Sequence, residues 1–297
     1  MPKPYLANPA GCRKVLDRYG FSFRKKFGQN FLIREQVLED IISTAGISKE
    51  DFVLEIGPGI GTLTQHLAES AGRVCAVEID RALLPILEDT LSDWDNVTVL
   101  NADILKTDIQ EIADRENEGR PVKIVANLPY YITTPILMGL FEGGAPFSDL
   151  TVMVQKEVAE RMVTGPGSKN YGALSLAVSY YTEPEISFLV GPECFMPRPK
   201  VDSAVVHMVR RDVPPVSVRD EKLLFDLIRA SFNERRKTLQ NGIANYAGFS
   251  FSKEEALRAI EACGFKPTVR GEALSLSEFG RLADELCLVR GQRNRQD

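Results

Sequence analysis

The segment Asn127-Leu-Pro-Tyr130 carries residue types suited to one particular kind of chemistry. The exocyclic amine of a nucleic-acid base is a poor nucleophile, because its lone pair is delocalised into the ring. Two acceptors can take its two hydrogens: the Asn127 side-chain oxygen and a main-chain carbonyl, expected to be that of Leu128. Together they draw the nitrogen toward a tetrahedral shape and aim its lone pair. Pro129 has no N–H and fixes the turn that keeps this carbonyl inward. Tyr130 can stack on a base that has left its own stack. No general base is needed before attack, since the amine turns acidic only once alkylated. That suits a chain with two histidines, His66 and His207. Read alone, N-x-P-Y is also a proline turn capped by Asn, with Tyr in the core.

A second stretch, Glu55-Ile-Gly-Pro-Gly-Ile-Gly61, lies between an expected strand and an expected helix. Glycines at 57, 59 and 61 let the chain turn tightly and let a ligand approach the backbone. Three readings stay open for it: a structural turn, a dinucleotide site, or a site for S-adenosylmethionine. The spacing G-x-G-x-G departs from the dinucleotide fingerprint G-x-G-x-x-G. It resembles the first motif of Rossmann-like methyltransferases, and the acidic Glu55 suits a cationic ligand better than a diphosphate. Glu78 ends the next expected strand, where a carboxylate can accept both ribose hydroxyls. Asp103 follows a third and can accept the amino hydrogens of the cofactor's base; its alternative is a turn or helix cap.

These residues need elements to place them. Strands are expected at 51–56, 73–79, 97–100, 122–126, 150–154, 185–190 and 203–209, with helices near 61–70, 82–91, 134–141 and 156–163. Such alternation implies an α/β fold with a doubly wound, mostly parallel seven-stranded sheet, whose ligands sit at the carboxyl ends of the strands. After Asp212-Val-Pro-Pro-Val216 the strand signal stops, and helices are expected at 220–230, 233–244, 253–263 and 277–289. The division expected is a basic N-terminal segment over 1–36, a Rossmann-like domain over 37–215 and a small all-α domain over 216–297.

Charge follows this division. Residues 1–36 hold 8 Lys/Arg against 2 Asp/Glu, residues 37–215 hold 14 against 27, and residues 216–297 hold 14 against 12. An acidic body with basic ends can grip a polyanion at its ends while binding something else in the middle. Arg235, Arg236 and Lys237, with Lys25 and Lys26, are the candidates for contacts with the phosphates of such a polyanion; a solvated surface cluster is the plainer alternative. Five scattered cysteines without a C-x-x-C pair argue against a zinc site or a disulfide framework, so no metal is expected and a reducing cytoplasm fits. No apolar run long enough for a membrane span occurs, and the basic N-terminus lacks the apolar region of a secretory signal. A monomer is expected.

Phe195-Met-Pro-Arg-Pro-Lys-Val-Asp-Ser203 lies between the last two strands, and Phe195 is a candidate second stacking partner for the flipped base. With Phe27-Gly-Gln-Asn-Phe-Leu32, the glycine motif, Glu78, Asp103 and Asn-Leu-Pro-Tyr, it completes an order of motifs that resembles the ribosomal RNA adenine N6-dimethyltransferases over nearly the whole chain. The resemblance implies a Rossmann-like fold, S-adenosylmethionine as cofactor, and a Gln-Asn-Phe-Leu segment folded over it. The positions that match the family's cofactor contacts are Asn30, Leu32, Gly57, Glu78, Asp103 and Asn127.

One branch of that family dimethylates two adjacent adenines in the 3′-terminal hairpin loop of 16S rRNA in the small (30S) subunit or its precursor, with a role in subunit biogenesis. Another modifies one adenine of large-subunit RNA and confers macrolide resistance. Tyr130-Tyr-Ile-Thr-Thr-Pro-Ile136, a basic helix expected to start within Phe232-Asn-Glu-Arg-Arg-Lys-Thr-Leu239, and Pro267-Thr-Val-Arg-Gly-Glu-Ala-Leu-Ser275 resemble the small-subunit branch. Gly271 stands where that branch more usually has alanine. A third reading is a non-enzymatic assembly or transcription factor of the same fold. It predicts damage at Gly57, Glu78 or Asn127, and all three are intact.

Overall fold

The computed structural model describes residues 6–23, 28–234 and 236–293. Its contacts form two compact units, one from residues 1–159 with 184–210, the other from 160–183 with 211–297. This differs from the linear division expected at 215/216, because 160–183 packs with the helical part.

In the first unit the N-terminal segment is more than a basic tail. Helix α1 (Pro9–Arg18) is capped by Asn8, whose side chain accepts from the Gly11 amide at 2.7 Å, and it starts on a proline. Its apolar face, Cys12, Val15 and Leu16, enters a core shared with Ile60, Ile86 and Leu87, so its basic residues point outward. A short strand β1 (Phe31–Leu32) follows, then α2 (Glu35–Thr44).

The main sheet contains β2 (Phe52–Ile56), β3 (Arg73–Glu78), β4 (Val97–Asn101), β5 (Val122–Asn127), β6 (Phe147–Gln155), β7 (Thr182–Val190) and, after the short β8 (Phe195–Met196), β9 (Ser203–Arg210). Their order is β4-β3-β2-β5-β6-β9-β7. From β4 through β6 the pairing is parallel, and β9 runs antiparallel to β6. The sheet is therefore seven-stranded and mostly parallel, as its apolar runs predict. All five residues of β2 are buried, as a central strand covered on both faces requires. Helices α3 (Thr62–Ser70), α4 (Leu84–Thr90), α5 (Ile109–Glu116), α6 (Thr133–Glu142) and α7 (Lys156–Met162) follow successive parallel strands.

Strand β8 pairs with β1 rather than with the main sheet, in the register Phe31↔Met196 and Leu32↔Phe195. This ladder ties the N-terminal Gln-Asn-Phe-Leu segment to the proline-rich loop. Nothing local announces such a pairing, since each strand is two residues long.

The second unit is helical: α8 (Ala173–Tyr181), α9 (Glu221–Asn233), α10 (Leu239–Asn245), α11 (Lys253–Ala262) and α12 (Leu276–Arg293). Helix α8 buries Leu174, Leu176, Ala177, Val178 and Tyr180, too many sides for a helix resting on one sheet face. It finds cover here: the Tyr181 ring stacks on Phe225 at 5.3 Å, and the nearby Tyr171 hydroxyl donates to the Leu274 carbonyl at 2.8 Å. The basic helix expected from 233 starts only at Leu239. Before it the Lys237 amide turns back to Glu234 at 2.8 Å, Thr238 is extended, and the Leu239 amide donates to Val269 at 2.8 Å. Those bonds draw the backbone out of the helical path, so Arg236 and Lys237 stand exposed on a turn.

Gly271 has a packing reason. A Cβ built there would lie 2.6 Å from the Cβ of Ser231 on α9. The Gly271→Ala variant is expected to lose about 1–3 kcal/mol of stability through overpacking. Thermal denaturation should show a lowered midpoint, restored in part when Ser231→Gly is added; an unchanged midpoint in the single variant would refute the steric account.

Candidate active site

Register places the sheet's carboxyl ends side by side. Ile56 pairs with both Val77 and Ala126, and Glu78 pairs with Asn101. The residues just beyond, Gly57, Glu78 and Asn127, therefore end at one level, with Asp103 two residues past β4. These four, with Asn30, Leu32, Leu128, Pro129 and Tyr130, line one cleft enclosing about 1020 Å³ of space, solvent at its mouth included. The expected cofactor positions and the acceptor turn are thus brought together.

The glycine loop leaves the strand with Gly57 at φ 71° and Gly59 at φ 62°. A Cβ on Gly57 would meet nothing within 4 Å, so the cleft runs up to the backbone. A Cβ on Gly59 would lie 2.8 Å from the Phe31 ring, which packs against the loop from β1. Below the loop, Glu55 is 1% exposed, and its Oε2 has no partner among the described residues; the same holds for the buried hydroxyl of Thr62. Burial pushes the Glu55 carboxyl up to about 8; a hydrogen bond from Thr64 draws it partly back, and the charge of Glu78 adds to the rise.

Glu78 is held by two amides: its Oε2 accepts from Gly59 at 3.3 Å and its Oε1 from Asp80 at 2.7 Å. Burial still dominates and raises it to about 7. Asp103 is half-buried, and its Oδ1 caps a short 3₁₀ turn by accepting from the Leu105 amide at 3.1 Å. Capping and base reading are therefore not alternatives here, because one oxygen serves the turn and the other has no partner among the described residues. An orphaned buried carboxylate oxygen, an open glycine cradle and two strand-end acids suit a nucleoside bearing positive charge.

The acceptor turn is fixed from three directions. The Asn127 side-chain amide donates to the Asn30 carbonyl at 3.0 Å. A carbonyl can only accept, so the nitrogen must face Asn30 and the Asn127 oxygen faces away as a free acceptor. The Leu128 amide donates to Met153 at 3.1 Å, which anchors the turn on β6. The Pro129 carbonyl is occupied, accepting from the Ile132 amide and the Thr133 hydroxyl, each at 3.1 Å. The Leu128 carbonyl accepts nothing among the described residues, which makes it the available main-chain oxygen. The Tyr130 hydroxyl lies 2.7 Å from the Ser203 hydroxyl, so its ring is held by the last residue of the proline-rich motif.

Phe195 requires a correction. Its ring is 3% exposed, packs in the core with Leu32, Val190 and Val205, and does not line the cleft. Pairing with Leu32 turns it inward, so the structure assembles no second aromatic clamp from it. An aromatic residue that motif reasoning passes over does line the cleft: Tyr131, 57% exposed, with its ring against Gly28. Its large exposure beside a half-buried neighbour is invisible in a Tyr-Tyr pair. Gln29, also overlooked by the motifs, lines the cleft and bonds Asp80. Of the basic candidates, Arg236 and Lys237 are exposed, while Arg235, Lys25 and Lys26 lie outside the described residues. Among the described residues no cluster of three His, Cys, Asp or Glu could hold a metal ion, and no helix is long and apolar enough to cross a membrane.

Comparison with known proteins gives a consistent picture. Residues 20–261 match the family model described as ribosomal RNA adenine dimethylase. The chain is 61% identical over 281 residues to ribosomal RNA small subunit methyltransferase A of Lachnoclostridium phytofermentans, covering 94% of this chain and 97% of that one. It is 53% identical over 283 residues to the protein of the same name from Streptococcus pneumoniae, covering 95% and 98%. A dimethyladenosine transferase structure from Plasmodium falciparum aligns with TM-score 0.68 at 26% identity, covering 85% of this chain and 95% of that one. The 23S rRNA methyltransferase ErmE aligns with TM-score 0.62 at 26% identity, covering 86% and 99%.

The two buried acids set a pH dependence. Both carboxyls have an ordinary value of 4.5, and below it folded and unfolded chains are equally protonated. Above it the unfolded chain releases protons that the folded chain keeps, so stability falls as pH rises. The contribution of Glu78 is lost by about 7 and that of Glu55 by about 8. Urea denaturation of the ligand-free protein between these limits should show a falling midpoint, and Glu55→Gln should flatten the upper part of the curve. A midpoint rising with pH over the range that Glu55→Gln alters would contradict the burial of these groups.

Proposed function

Because the chain belongs to the ribosomal RNA adenine dimethylase family, we propose that it dimethylates N6 of two adjacent adenines in the 3′-terminal hairpin loop of 16S rRNA, using S-adenosylmethionine. Its substrate is the small (30S) subunit or a precursor of it, met in the cytoplasm by a monomer during subunit biogenesis. The observation that carries the chemistry is the orientation of Asn127, whose bonded nitrogen leaves its oxygen as an acceptor at the cleft.

Glu78 would hold the cofactor's ribose hydroxyls, Asp103 its adenine amine, and the Gly57 backbone and Glu55 the end that bears the amino acid. When bound, S-adenosylmethionine supplies an electrophilic methyl group on its sulfonium. The Asn127 oxygen and the Leu128 carbonyl accept the two N–H bonds of the adenine amine and fix its lone pair toward the cofactor side. Tyr130, held through its hydroxyl by Ser203, offers a ring face to the flipped base. The alkylated amine, now cationic and acidic, releases one proton to solvent; one N–H then remains, and a single acceptor suffices to orient the amine again. Rate enhancement on this account comes from positioning and fixed dipoles rather than from proton transfer.

The similarity in fold to a 23S rRNA methyltransferase keeps a large-subunit target in view. Identities of 61% and 53% to proteins named for the small subunit favour the 16S reading. Arg236 and Lys237, exposed on their turn, are the described candidates for phosphate contact, with Arg235, Lys25 and Lys26 proposed beside them from the sequence.

Labelled S-adenosylmethionine incubated with unmethylated small or large subunits should label small-subunit RNA at two adjacent adenines, as mapped by mass spectrometry. Label confined to large-subunit RNA would reject the 16S target, and no label on any RNA would support a binding role alone. Asn127→Ala should lower transfer by at least about a hundredfold while cofactor affinity changes little, the pattern of an interaction made mainly in the transition state. Near wild-type turnover in that variant would remove the amine-positioning account. The pair Arg236→Ala and Lys237→Ala should weaken subunit binding and reduce the salt dependence by roughly one unit of slope for each phosphate no longer neutralised. An unchanged salt slope would exclude these side chains from the RNA interface.

A further inference from the structure

We propose that Gln29 is a positioning residue of methyl transfer: its bond to the buried Asp80 holds residues 28–32 across the cleft, and that segment sets the orientation of Asn127. This assignment rests on the reading of Asn127 as an acceptor for the base amine.

The bonds run in series from one wall of the cleft to the other. The Gln29 side-chain nitrogen donates to Asp80 Oδ2 at 3.0 Å. Asp80 is 1% exposed, and its Oδ1 is fixed by the Ala82 amide at 3.1 Å. Its own amide donates to Glu78 Oε1 at 2.7 Å, so the anchor is part of the ribose-side wall. One residue after Gln29, the Asn30 side chain closes a local turn onto the Gly28 carbonyl at 3.1 Å. The Asn30 carbonyl then receives the Asn127 amide at 3.0 Å. The acceptor-side wall is thus held by a carbonyl whose own position depends on where residues 28–30 lie.

The downstream end of this segment is secured without Gln29. Leu32 pairs with Phe195, and the Ile33 amide donates to the Cys194 carbonyl at 2.9 Å. At the upstream end, the described side chains nearest the position of a Cβ on Gly28 are the exposed ring of Tyr131 and Pro129. Packing of that kind restricts the chain without fixing the direction of a carbonyl. A side-chain bond to a buried carboxyl group adds a directional restraint that packing lacks, since Asp80 is buried and Gln29 half-buried. If the bond is broken, the Asn30 carbonyl can swing, and the Asn127 amide is free to rotate its oxygen away from the amine. Gln29 therefore acts on two quantities at once: retention of the cofactor beneath the segment, and orientation of the acceptor beside it.

The test uses the full-length protein with Gln29→Ala and with Gln29→Met, which keeps the length of the side chain and removes the donor. Calorimetry gives the Kd for S-adenosylmethionine, and single-turnover transfer to unmethylated small subunits at saturating cofactor gives the rate of the bound complex. Both variants should melt at the wild-type temperature, bind the cofactor about tenfold more weakly, and transfer several-fold more slowly even when saturated. In an Asn127→Ala background, Gln29→Ala should still weaken the cofactor but should not slow the residual rate further, since the two residues then share one effect. An unchanged Kd, a Gln29→Met variant matching wild type, or a weakened Kd with an unchanged saturated rate would overturn the proposal and leave the assigned function intact. Absence of transfer by the wild-type protein would overturn both.

Discussion

The hydrogen bond from the Asn127 side chain to the Asn30 carbonyl joins residues 97 positions apart, and the rest of the site is arranged around it. An amide side chain has two chemically opposite ends, and a base amine needs only one of them. Without a neighbour to choose between them, Asn127 would present donor and acceptor in turn, and half of its orientations would repel the amine. Placing a main-chain carbonyl on one side removes that ambiguity, provided the carbonyl itself stays in place. The β1–β8 ladder and the packing of Phe31 on Gly59 serve that condition. On the proposed reading, the N-terminal segment is thus a structural part of the acceptor site as well as a cover for the cofactor.

The parallel strands are legible in the sequence because their apolar runs are set by burial on both faces, and burial is written in composition. Once β2, β3 and β5 are in register, the residues that end them must stand together. Gly57, Glu78 and Asn127 can therefore be assigned to one site from chain order alone, and the structure places them along one cleft. The free Leu128 carbonyl follows from the proline turn in the same way, since Pro129 forces the next carbonyl into bonds with Ile132 and Thr133. What chain order does not contain is which distant segments meet. The two-residue strands β1 and β8 have no period to detect, and the partner of Gln29 lies 51 residues away.

The misplaced features share a cause. The motif around Phe195 suggests a ring beside the base, yet its place in a ladder opposite Leu32 turns it into the core. Successive side chains of a strand face opposite sides, here two separate cores, and the motif does not say which side Phe195 takes. The basic residues after Phe232 suggest the start of a helix because local propensity there favours one. The Leu239 amide instead bonds to Val269, a partner 30 residues on, and the tertiary bond prevails over a preference worth tenths of a kcal/mol per residue. Segment 160–183 joins the helical unit for a similar reason: helix α8 has more apolar surface than a single neighbour can cover.

The acidic body raises a physical difficulty for an RNA enzyme, since residues 37–215 carry 27 acidic against 14 basic side chains. Counting formal charges overstates the repulsion at the cleft. Burial pushes Glu55 up to about 8 and Glu78 up to about 7, so before the cofactor binds both are drawn toward their neutral forms. A bound sulfonium would favour their ionised forms and at the same time supply the charge that offsets them. Burial of the acids therefore lowers the formal charge of the ligand-free site while leaving carboxyl groups that a cationic ligand would draw toward ionisation.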